Sequence, residues 1–101
     1  MAKPAVPRAR FRGLFAFYAA RAHHDHNNDG ENRLLKLFGS SDHISDGPLE
    51  SWSTRTELLS PEMISNVLSP VAREVVSGTA HYNHASDFLH RLLQEIDRKA
   101  N

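Results

Sequence analysis

HYNHASDFLHRLLQEIDRK, residues 81–99, decides the fold class. Tyr82, Leu89, Leu92, Leu93 and Ile96 fall on one stripe with Phe88 beside them, a helical period that an alternating strand does not reproduce. Thr79 or Asn83 supplies an N-cap, and Arg98 and Lys99 sit where cations suit the negative end of the helix dipole. The pattern predicts a helix over 80–99.

The same period recurs at the other end of the chain. Phe11, Leu14, Phe15 and Tyr18 are spaced i, i+3, i+4 and i+7, with four alanines between Ala16 and Ala22 adding propensity. These predict a helix over 10–22. Pro4 and Pro7 predict an extended basic arm over 1–8. Asp29 as N-cap and Gly39 as C′ residue bracket a helix at 31–38, with Leu34, Leu35 and Phe38 on one side.

Ser60-Pro61 and Ser69-Pro70 each read as N-cap followed by first helical residue. Two short helices, 61–68 and 70–77, follow from them, the second stopped by Gly78; one helix kinked at Pro70 is the alternative. Met63, Ile64, Val67 and Leu68 face inward on the first, and Val71, Val75 and Val76 on the second. Residues 40–59, rich in Ser, Asp and Thr around Pro48, read as a long polar loop that Leu49 and Trp52 pin to the core. An exposed Trp52 would instead mark a binding surface. The expectation is an all-α bundle of four to five helices forming a single domain over 1–101.

Composition narrows the chemistry. The chain has no cysteine, so disulfides, Cys-ligated zinc and thiol catalysis are excluded. An oxidising compartment is not demanded, which makes a cytoplasmic location the simplest expectation. No apolar run approaches the roughly 18 residues of a membrane-spanning helix. No nucleophile elbow or phosphate-cradling glycine loop is present, so the chain does not read as an enzyme, and no cofactor is expected.

Net charge is zero but unevenly placed. Residues 1–24 carry Lys3, Arg8, Arg10, Arg12 and Arg21 and no acid, whereas residues 25–62 carry eight acids against three bases. A basic segment of this kind meets an anionic partner, or two parts of one protein, or of two copies, dock on each other. Phe17 lies off the apolar stripe, on the side of Arg10 and Arg21. Phe17, Arg8, Arg10, Arg12 and Arg21, with Trp52, are therefore candidate partner-binding residues. The leading reading is a non-enzymatic protein-interaction module that binds a partner protein or a second copy of itself. Nucleic-acid binding through the basic arm is the alternative.

Two segments share the pattern Asp-His-x-x-Asp-Gly, at Asp25–Gly30 and Asp42–Gly47. Asp25, Asn27, Asp29 and Gly30 fit the opening half of an EF-hand calcium loop, but its closing glutamate position is Lys36. Turn chemistry is the simpler account, with aspartates capping backbone and glycine taking positive φ. His23 and His26, with His81 and His84, repeat an i, i+3 spacing. Brought face to face, these four imidazoles would form a zinc or nickel site, a further alternative.

Overall fold

In the computed structural model, residues 6–100 are described, with side chains from Pro7 to Lys99. The helices are α1 (Val6–His24), α2 (Asn28–Phe38), α3 (Asp46–Glu57), α4 (Pro61–Val76) and α5 (Ala85–Ala100). A 3-10 turn, Ser41–His43, lies between α2 and α3. The all-α bundle expected from the two terminal stripes is what forms.

One hydrophobic core draws on all five helices. Phe11 and Phe15 of α1 are fully buried, as the stripe requires, and Leu14 and Tyr18 pack on the core's edge. The rings interlock: Phe11 meets Phe15 edge-on at 5.2 Å and Trp52 at 6.0 Å, and Phe15 lies 5.3 Å from Phe88. Such pairs add about 0.5–1.5 kcal/mol each beyond the area they bury.

The largest departure is at 40–59. The expected loop holds α3, a 12-residue helix that buries Leu49, Trp52 and Thr56. Pro48 sits in the first turn, where its missing N–H has no intrahelical acceptor to lose. The polar residues face outward, and Thr56 Oγ1 donates to the Trp52 carbonyl at 2.8 Å, so its burial leaves no orphan hydroxyl. Trp52, only 3% exposed, belongs to the core and not to a partner-binding surface.

Other boundaries shift for local reasons. Residues 6–8, expected to be extended, are already helical, with Pro7 in the first turn; residues 1–5 of the expected arm lie outside the described residues. Helices 61–68 and 70–77 are one helix, α4. Ser60 caps it, accepting from the Met63 N–H at 3.2 Å, and Pro70 is accommodated inside it on the exposed face. On this helix Met63 is exposed, not inward-facing. Gly78 ends α4 with φ +81°, as expected. Helix α5 begins at Ala85, so Tyr82 reaches the core from the preceding segment, its ring 5.7 Å from Phe88. On α2, which starts at Asn28 under an Asn27 cap and not under Asp29, the structure buries Leu34 and Leu37 and leaves Leu35 half exposed.

The α1–α2 turn explains the first Asp-His-x-x-Asp-Gly segment. His26 takes φ 61°, its N–H bonds to the His23 carbonyl, and the Asn27 N–H bonds to the Ala22 carbonyl at 2.8 Å. This is a Schellman closure with histidine at the position glycine usually fills. Gly30 is helical and does not take positive φ; it lets α2 approach α4, and a Cβ there would lie 2.9 Å from the Val76 carbonyl oxygen. Gly39, expected as a left-handed cap, has right-handed φ −61° and leads into the 3-10 turn.

Candidate functional site

The basic residues of α1 divide into two sets. Arg8 donates to the carbonyls of Ser41 and Ile44 at 2.8 Å each and pairs with Asp46 at 3.3 Å. Arg12 pairs with Asp42 at 3.5 Å while its guanidinium lies over the Phe38 ring, 4.9 Å from the centroid. Arg10 reaches Glu57 at 4.0 Å. The first half of α1 is thus bound to the 3-10 turn and α3. The acidic middle of the chain is the partner of these three arginines, in cis. Arg10 and Arg12 are surface pairs worth well under about 1 kcal/mol. Arg8, which ties down two backbone carbonyls, contributes more.

The second half of α1 is not bound in this way. Phe17 is 54% exposed. The Arg21 guanidinium lies 5.9 Å from its ring centroid, and Tyr18 meets it edge-on at 5.2 Å. Tyr18 and Ser69 hydroxyls share a hydrogen bond at 3.3 Å across to α4. Between the helices runs a shallow cleft of about 120 Å³, lined by Tyr18, Arg21, Asp25, Ser69 and Arg73 among others. Arg21 and Arg73 make no ion pair among the described residues, unlike the three arginines upstream. Arg73 was not a sequence candidate; the fold brings it to the same cleft as Arg21.

The histidines are not assembled into a metal centre. All seven are exposed. His23 and His26 flank the end of α1, with His23 Nδ1 3.5 Å from Glu31, and His81 and His84 lie in the non-helical segment before α5. Among the described residues, no three His, Asp or Glu side chains are grouped to hold an ion, so the four-histidine site does not form and the calcium half-loop is not completed. The buried carboxylate is structural: Glu95 on α5 accepts from Arg98 and Arg91 at 2.7 Å, and these bonds hold it below the usual carboxylate range.

A second cleft, of about 240 Å³, is lined by residues of α2, Val75 of α4 and residues 80–83, and shares no lining residue with the first. Among the described residues no helix is long and apolar enough to cross a membrane. Fold and site together define a small five-helix bundle with one clamped and one open basic surface. No protein-family model, curated protein or solved structure matches the chain.

Proposed function

We propose that this protein is a non-enzymatic interaction module, acting in the cytoplasm, that docks a partner protein on the open half of α1 and the adjoining face of α4. The observation that carries the reading is Phe17, a large aromatic side chain left 54% exposed with a guanidinium over it. Aromatic and arginine side chains dominate the energetics of protein interfaces. Arg21 and Arg73, without acidic partners among the described residues, suit an acidic patch on the partner that carries an apolar side chain for Phe17. Nucleic-acid binding draws less support, because Arg8, Arg10 and Arg12 already hold carboxylates within the chain.

The test is affinity capture with wild type, Phe17→Ser and Arg10→Ala run side by side and quantified by mass spectrometry. A partner whose recovery falls at least about tenfold with Phe17→Ser, and holds with Arg10→Ala, supports the reading. Equal recovery on all three baits ends it. Steeply salt-dependent binding to a mixed-sequence duplex, weakened by Arg21→Ala, would put a nucleic acid in the protein's place.

A further inference from the structure

We propose that the cleft between α2, the end of α4 and residues 80–83 binds a small phosphate-bearing molecule. Its polar lining is Arg33, Lys36, His81, Tyr82 and Asn83, all of them able to donate hydrogen bonds, and no carboxylate lines it. At about 240 Å³ it is smaller than the roughly 300–1,000 Å³ that encloses a drug-sized ligand. A phosphate head with a short organic group matches that size.

Arg33 is fixed before any ligand arrives. Its Nη1 donates to the Val76 carbonyl at 2.6 Å, and its guanidinium lies against Gly78, where a Cβ would come within 3.3 Å of Cζ. The bond to Val76 also answers the partial negative charge of the α4 terminus, which would otherwise repel an anion. Four of the five guanidinium N–H groups are left over. Lys36 stands three residues along α2 and makes no ion pair among the described residues. A fixed fork beside an exposed ammonium matches a phosphate dianion better than a single carboxylate. Burial raises the Tyr82 phenol above its ordinary pKa, with the Arg91 guanidinium opposing the rise and the Glu74 carboxylate adding to it.

The test uses the isotopically labelled full chain titrated with inorganic phosphate, followed by amide resonances, with sodium chloride at matched ionic strength as the control. Saturable shifts at Lys36, His81 and Asn83 are expected with phosphate alone. Lys36→Gln, at an exposed side chain with no hydrogen bond or ion pair among the described residues, should weaken binding by roughly tenfold. Glycerol 3-phosphate binding more tightly would assign the site to a phosphomonoester, and equal affinity to the free ion. Shifts that never saturate, that chloride reproduces, or that survive Lys36→Gln unchanged overturn the proposal. Phe17 does not line this cleft, so Phe17→Ser should leave phosphate binding intact and the two readings stand or fall separately.

Discussion

The two halves of α1 carry similar side chains and do opposite things. Phe11 and Phe17 are six residues apart on one helix, yet the first is fully buried and the second is more than half exposed. Arg8 and Arg12 hold Asp46 and Asp42, while Arg21 lies over the Phe17 ring and makes no ion pair among the described residues. The difference lies in what stands opposite. The first half faces the 3-10 turn and α3, which bring carboxylates and Trp52; the second half faces α2 and α4, which bring Ser69 and Arg73. Uneven charge in a sequence therefore has two meanings at once here, internal docking at one end and an open cationic surface at the other.

The sharpest way to break the comparison is to remove each phenylalanine in turn. Phe11→Ala should cost about 3–5 kcal/mol, read from the denaturant midpoint, because it empties a packed aromatic cluster. Phe17→Ala should cost about 0.5 kcal/mol or less. Similar losses at both sites would mean that the halves are equally part of the core. For the arginines, Arg8→Ala should cost about 1–2 kcal/mol by leaving the Ile44 carbonyl without its donor and the Ser41 carbonyl with the Ile44 N–H alone, and Arg21→Ala close to nothing.

A buried carboxylate outside α1 gives a reference for what a well-held charge is worth. The folded-state pKa of Glu95 is depressed, so its stabilisation is present above the ordinary value of 4.5 and is lost as the pH falls through the lower folded value. Glu95→Gln should flatten that acid limb, removing about 1 kcal/mol of its pH dependence. A limb unchanged in the variant would assign the acid sensitivity to other carboxylates. One substitution is a gain. Gly13 lies between the two halves, exposed, with nothing within 4 Å of an added Cβ. Gly13→Ala should stabilise by about 0.5–1 kcal/mol, raising the melting temperature by a few degrees without moving either half.

Sequence alone made α1 and α5 legible because their apolar stripes are long and uninterrupted. It failed at α3 because Ser, Thr, Asp and Gly are weak helix formers, and Pro48 read as a loop residue where it is a first-turn residue. The signal was present: Ser45 ahead of Pro48, then Leu49, Trp52 and Thr56 at helical spacing. The first Asp-His-x-x-Asp-Gly segment does turn the chain, at residues 25–26, but with other residues in the roles: Asn27 and not an aspartate caps α2, and His26 and not Gly30 takes the left-handed backbone. The pairing of Arg8 with Asp46 could not be read, because it joins residues 38 apart whose approach depends on a helix the pattern concealed. For the same reason Phe17 stood out as lying off the stripe, while Arg73 did not stand out at all.

The tight α1–α2 turn also has a consequence for how the chain reaches this structure. Only Asp25–Asn27 separate the two helices, so their packing closes a very short loop at little entropic cost. Burying Phe11 and Phe15 against Phe88 must wait for chain more than seventy residues downstream. The helical hairpin is therefore the natural early unit on the folding route and α5 the late one. Destabilising substitutions at Leu34, within the hairpin, should slow refolding, whereas those at Leu92 should chiefly hasten unfolding. Stopped-flow chevrons on Leu34→Ala and Leu92→Ala with the reverse assignment would show that the ends of the chain meet first.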